Sequence, residues 1–128
     1  MRFSLKDGKI PILTTKKTAW KTCLKELLWF IRGETDNQIL KTQGVHIWDA
    51  NGSREFLDSR GLQLYKEDVL GPIYGYQWRH FNANYDCFKA QKLPDEDILN
   101  IMGDRCQGVD QLQQIIDILK DPKQRTSR

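Results

Sequence analysis

No part of this chain is apolar for longer than the run Leu27-Leu28-Trp29-Phe30-Ile31, whereas a bilayer-spanning helix needs about 20 such residues. The sequence therefore encodes no transmembrane helix. Its start, Met1-Arg2-Phe3-Ser4-Leu5-Lys6, alternates apolar and polar residues and lacks the basic patch followed by an apolar core that marks a secretory signal. The expected location is the cytosol. Cysteine is scarce: Cys23, Cys87 and Cys106 form an odd set with no C-x-x-C spacing, which excludes a disulfide framework and a zinc knuckle. No metal centre is expected. An excess of one charge is also missing, since 20 Lys and Arg against 17 Asp and Glu leave +3. That surplus is too small and too dispersed for a nucleic-acid footprint, so DNA binding is not expected and any anionic partner must be held locally. Neither an internal repeat nor a low-complexity segment is found.

What is present suits one domain. The 128 residues are 39% hydrophobic and include four Trp, four Tyr and five Phe, enough to build a single core. Alternation over Met1–Lys6 predicts a short strand running into a tight turn at Asp7-Gly8. From Thr18 to Ile31 apolar residues recur at helical spacing, and Gly33 stands where a C-terminal cap belongs. Thr35-Asp36-Asn37-Gln38 reads as a capping box opening a short second helix that ends at Gly44. Val45–Trp48 reads as extended and Asp49-Ala50-Asn51-Gly52 as a turn, after which Ser53 opens a helical stretch closed by Gly61. The segment Gly71–Phe81 carries four aromatic residues and two glycines, and its pattern fits neither an amphipathic helix nor a plain strand. Residues 82–107 read as a polar excursion with one helical turn near Glu96–Met102. Val109, Leu112, Ile115, Ile116 and Leu119 then line a helix that stops before Pro122.

Four places have the residue types for chemistry. On a helical wheel Cys23, Leu24, Leu27, Leu28, Phe30 and Ile31 share one arc, and Glu26 falls between Phe30 and Trp29. Two flanking rings would disfavour the charged carboxylate and suit Glu26 to proton transfer; the competing reading is a boundary glutamate whose tip reaches water. Ile47-Trp48-Asp49-Ala50-Asn51 places a broad ring beside short polar side chains, which suits stacking on a flat heterocycle, or else is a core Trp next to a turn. Between Gly71 and Phe81, rings with polar tips on a chain punctuated by glycine suit a pocket wall, or an aromatic-lined core turn. Arg125, beyond the last helix stop, has the fork that binds a phosphate, or is an ordinary surface arginine. None of the cysteines has a base in its local sequence to activate it.

These segments resemble the thymidylate synthase family. Met1–Gly8, Pro11–Lys17, Glu26-Leu27-Leu28-Trp29-Phe30, Ile47–Ser53, Leu70–Phe81 and Gly108–Leu112 follow that family's order and spacing, within residues 1–85 and 107–125. The resemblance implies an α/β (α+β) fold, a mixed sheet flanked by helices and incomplete in this chain, with residues 1–128 a partial domain interrupted by an atypical insertion at about 86–106. It implies reductive methylation of dUMP to dTMP with 5,10-methylenetetrahydrofolate as co-substrate, and a homodimer. Glu26 then organises water and assists proton transfer, Tyr74 assists proton removal near the nucleophile, and Ile47, Trp48 and Asn51 contact folate. Lys16 and Lys17 face the folate side, Lys17 standing where the family has arginine, and Arg125 reaches the substrate phosphate across the dimer.

The departures are specific. The family's nucleophile lies in a Pro-Cys-His block, and no such block occurs in these 128 residues. Met1 falls inside the first matching block, so the expectation is that the phosphate-clasping loop that precedes that block in the family is missing, and the family's arginine pair is reduced to Arg125 followed by Thr126. The expectation is an N-terminal portion that does not catalyse alone and leaves apolar surface exposed. Two alternatives stand beside it: a non-catalytic partner of a full-length synthase, forming a heterodimer with it, and a fragment of a dCMP hydroxymethylase.

Overall fold

The computed structural model describes residues 4–85, 108–121 and 123. Among the described residues six α-helices follow one another: α1 (Trp20–Ile31), α2 (Gln38–Thr42), α3 (Asp49–Gly52), α4 (Arg54–Ser59), α5 (Tyr74–Arg79) and α6 (Gln111–Lys120). The β pairing among them is confined to two isolated antiparallel bridges, Asp36 with Val69 and Phe81 with Val109. The expected strand at the start falls partly on Met1–Phe3, outside the described residues; Ser4 and Leu5 are not in a strand. The tight turn is present as a 3-10 turn over Lys6–Gly8, with φ of 63° at Asp7 and 69° at Gly8.

Helices α1, α4 and α6 end where their sequence signals stand. Gly33 has φ +73° and donates its amide to Phe30 O at 2.9 Å, closing α1 with a left-handed residue that costs glycine little. Ser53 caps α4 by accepting from the Phe56 amide at 3.2 Å. Asp110 caps α6 in the same way, accepting from Gln113 at 3.0 Å, and extended Asp121 terminates it ahead of Pro122.

Three local expectations are corrected. Asp49–Gly52 is one helical turn rather than a simple turn, and Val45–Trp48 pairs with no strand. The capping box is not made: Thr35 Oγ1 shares a 2.8 Å hydrogen bond with the Tyr85 hydroxyl, and the Gln38 side chain donates to Asp68 instead of reaching back. The aromatic segment contains helix α5, because Gly75 lets α5 lie directly on the α1 backbone, where long-range packing outweighs its weak local pattern.

The core is small and centred on α1. Trp29, Leu40 and Val45 are buried, with Phe30, Ile39, Trp48, Leu70 and Ile73 packed around them. The Trp29 indole donates to Asp36 O at 3.1 Å. Beside this cluster lies a buried polar knot. Asp68 accepts from Lys41 Nζ at 2.7 Å, from Asn37 Nδ2 at 2.9 Å and from Gln38, while its backbone joins Asn37 to Gly52. Asn37 Nδ2 also donates to Asp49 at 2.9 Å, so one amide links α2, α3 and the residue-68 turn. A partly burying, hydrogen-bonded network of this kind fixes the loops that carry it.

Burial by itself raises the Asp68 carboxyl, but hydrogen bonds from Lys41, Asn37 and Gln38 outweigh it and hold the group below its ordinary value of 3.8. Because the folded state has the lower value, this stabilisation is complete above the ordinary carboxylate range and is lost as pH falls through the folded-state value. Asp68→Asn keeps a residue type that tolerates the local φ of 68°. It is expected to cost about 2 kcal/mol near neutrality. In urea titrations the gap between the two proteins should close as the pH falls below about 4; a gap independent of pH would contradict this account.

Helix α5 is tied to α6 by Arg79 Nη2 and Asp110 at 3.0 Å and by Gln111 Nε2 donating to Gln77 O at 2.7 Å. The Phe81–Val109 bridge closes the same junction, with amide–carbonyl distances of 3.0 and 2.9 Å. Burial and the adjacent Arg79 hold the His80 imidazole below its usual range, against the pull of Asp110.

Candidate functional site

Residues from α1, from the residue that caps α3 and from α5 converge on the Phe30 ring. Trp29, Trp48, Tyr74 and Trp78 surround it at centroid distances of 5.3, 6.3, 5.8 and 5.5 Å. The Trp48, Tyr74 and Trp78 contacts are edge-on, the arrangement that ring quadrupoles favour. Local sequence explains the convergence. Phe30 stands one turn after Glu26 on α1, Trp48 leads directly into α3, and the Gly71–Ile73 entry sets Tyr74 at the first position of α5.

Glu26 is half-buried and its Oε1 accepts from the Trp48 indole Nε1–H at 2.8 Å. A donor fixed on Oε1 orients the carboxylate and leaves Oε2 as the oxygen able to take up or deliver a proton. Asp49, the residue after Trp48, accepts from Asn37 at 2.9 Å and pairs with His46 at 2.9 Å. The Asn37 hydrogen bond, ahead of the opposing effect of burial, holds the Asp49 carboxyl below its ordinary range, with His46 and Lys41 contributing.

An open cavity of about 310 Å³ is lined by Trp48, Pro72, Ile73, Tyr74 and Gln77. Its size suits a flat heterocycle, and its lining is largely apolar with the Gln77 amide as a polar point. Tyr74 is 63% exposed, so its hydroxyl is accessible from solvent.

The structure thus joins Glu26 to Trp48 by a hydrogen bond and sets Trp48 and Tyr74 on one cavity, whose lining does not include Glu26. Ile47 and Asn51 flank Trp48 in sequence and are exposed, but neither lines this cavity. Lys16 and Lys17 lie on the exposed segment ahead of α1. Cys23 is exposed on α1. Arg125, Cys87, Cys106, the turn near Glu96–Met102 and the insertion at 86–106 lie outside the described residues. Sequence reasoning missed Gln77 and the polar knot. Gln77 is one turn beyond Tyr74, a relation visible only once that segment is known to be helical. The knot joins residues about thirty positions apart, beyond any local pattern.

Among the described residues no cluster of three or more His, Cys, Asp or Glu side chains is placed to hold a metal ion. Nor is any described helix long and apolar enough to cross a membrane.

A family model described as thymidylate synthase matches residues 1–128. The chain is 50% identical to the thymidylate synthase of Ascaris suum over 119 residues, covering 93% of this chain and 36% of that protein. Against the human thymidylate synthase it is also 50% identical over 119 residues, covering 93% of this chain and 34% of the relative. A bifunctional dihydrofolate reductase-thymidylate synthase of Leishmania major is 52% identical over 120 residues, covering 94% of this chain and 21% of that protein. The chain therefore spans about a third of the length of the two single-function relatives.

Proposed function

Because the chain belongs to the thymidylate synthase family, we propose that it supplies the folate-facing and proton-handling side of a site that converts dUMP to dTMP. The observation that carries this reading is the Trp48–Glu26 hydrogen bond beside the cavity that Tyr74 lines. In it, Glu26 holds and moves protons through Oε2, its other oxygen pinned by Trp48. Tyr74 assists proton removal from the uracil ring. Trp48 offers a flat face to the folate, with Ile47 and Asn51 completing that contact, and Arg125 reaches the substrate phosphate across a homodimer. The methylenetetrahydrofolate co-substrate supplies the one-carbon unit and the reducing equivalents. No metal takes part in this scheme, and the cytosol is its place of work.

On the same reading residues 1–128 are part of a domain whose mixed sheet is completed elsewhere, with 86–106 an insertion. The family's Pro-Cys-His nucleophile block is not in the 128 residues. The chain by itself is therefore expected to form no covalent adduct with 5-fluoro-dUMP and methylenetetrahydrofolate, as read by mass spectrometry after denaturation. An adduct would remove the claim.

The positive test replaces the matched segment of the human relative with this chain and measures tritium release from 5-tritiated dUMP. Activity is expected, and Glu26→Gln is expected to lower kcat by about 10²–10⁴-fold, the usual worth of a positioned proton-transfer group. A folded chimera without tritium release would overturn the functional reading, and an unchanged kcat in Glu26→Gln would overturn the role of Glu26.

A further inference from the structure

The cavity beside Tyr74 carries one polar side chain to which the proposed reaction gives no task. Gln77 lines it together with Trp48, Pro72, Ile73 and Tyr74. Three hydrogen bonds fix this residue in place. Its backbone amide donates to Ile73 O at 3.1 Å, its carbonyl accepts from Gln111 Nε2 of α6 at 2.7 Å, and its side-chain Nε2 donates to Pro72 O at 3.3 Å. The last of these also sets which way round the amide lies, because the flipped amide would put Oε1 against the Pro72 oxygen, two acceptors with no proton between them. Oε1 is therefore the end left over, and among the described residues no donor pairs with it.

The other lining groups narrow what can occupy the cavity. The Trp48 indole N–H is already donated to Glu26 at 2.8 Å, and the Pro72 and Ile73 side chains are apolar. That leaves the Tyr74 hydroxyl, which either donates or accepts, and Gln77 Oε1, which only accepts. A flat ring lying against Trp48 thus gains a directed bond at Gln77 Oε1 only if its edge carries an N–H, whereas a carboxylate or phosphate oxygen there would face another acceptor. We propose that Gln77 is a specificity-determining residue, its Oε1 accepting from the cyclic-amide N–H of the heterocycle bound in this cavity. The proposal rests on the reading of the site as one for dUMP and a folate, and both supply that chemistry, since the uracil ring and the pterin ring each carry a cyclic-amide N–H. The hold on Pro72 O is a separate task of the same side chain. It sets the wall ahead of Tyr74, so a purely structural role predicts that every variant unable to donate to Pro72 O loses ligand affinity.

The test uses the chimera with the human relative and needs no turnover. Equilibrium dialysis at about pH 8, where a glutamate is ionised, measures folic acid and dUMP separately for the unsubstituted chimera, Gln77→Met and Gln77→Glu. Methionine matches the length of glutamine and offers neither group; ionised glutamate cannot donate to Pro72 O but still accepts. The expected result is an affinity about tenfold lower in Gln77→Met for one of the two ligands, the cost of leaving a ring donor unpaired, with the other within about twofold. Gln77→Glu should stay within about threefold for both, although both variants melt below the unsubstituted chimera because both lose the bond to Pro72 O. The ligand that moves identifies the ring. Unchanged affinities in Gln77→Met, equal losses for both ligands, or a loss in Gln77→Glu as large as in Gln77→Met would each overturn the proposal. Should Gln77→Met not fold, nitrogen-15 labelling of the glutamines decides the matter: the Gln77 Nε2 resonance, identified by its loss in Gln77→Glu, should shift on saturation with one ligand, and no shift would overturn the assignment. A chimera that binds as described yet releases no tritium refutes the proposed activity alone, and one that binds neither ligand overturns both.

Discussion

Trp29→Ala should reduce the free energy of unfolding by about 4 kcal/mol, the usual cost of truncating a fully buried tryptophan. Trp29 is 0% exposed and is the largest side chain of a core cluster whose other buried members are Leu40 and Val45. Its loss leaves a void with few neighbours able to collapse into it and removes the indole donor from Asp36 O. Domain stabilities are about 5–15 kcal/mol, so most of the folded population is at risk. Urea titration followed by far-UV circular dichroism measures the effect. Trp29→Phe, which keeps a ring and loses the 3.1 Å hydrogen bond, should fall between Trp29→Ala and the unsubstituted chain. A shift below about 1 kcal/mol for the alanine variant would mean that α1 is not held by its Trp29 side.

Gly75→Ala is expected to destabilise although alanine is the better helix former. In a helix interior the change from glycine gains up to about 1 kcal/mol. Here the added Cβ would sit 2.9 Å from Phe30 Cα and 3.0 Å from Phe30 O, and those neighbours are backbone atoms that cannot rotate away. Overpacking of this kind costs about 1–3 kcal/mol, and the contact must be relieved by lifting α5 off α1. The net loss should be about 1–2 kcal/mol. The same lift separates Tyr74 from Phe30, whose rings are 5.8 Å apart edge-on, so the active chimera should lose kcat as well as stability. Thermal melting and tritium release report the two effects; a more stable protein with unchanged kcat would refute the close α1–α5 contact.

Much of the local structure was legible in the residues. Gly33, Gly44 and Gly61 each stand after a helix with φ between 71° and 73°, a backbone state that glycine adopts at low cost. Ser53 opens α4 by the hydrogen bond its side chain invites. Glu26 was singled out by its place between Trp29 and Phe30, and the structure adds that its carboxylate is held by Trp48, a residue 22 positions away. The capping-box pattern misled because Gln38 had a stronger alternative: a buried carboxylate at Asp68 accepts from it and from Lys41.

The sequence by itself determined the helix periods, their stops, the absence of a Pro-Cys-His block and the membership of the chain in its family, because these depend on neighbours within a few positions or on motif order. Only the tertiary structure decided that α5 is a helix, that Asn37 and Asp68 join α2, α3 and the residue-68 turn, and which side of α1 turns inward. A wheel assigns apolar residues to an arc but contains no information about the surface that will meet it. In this chain the bulk of that arc faces outward, because the surfaces that meet α1 here, Leu40, Val45 and Gly75, approach from the Trp29–Phe30 side.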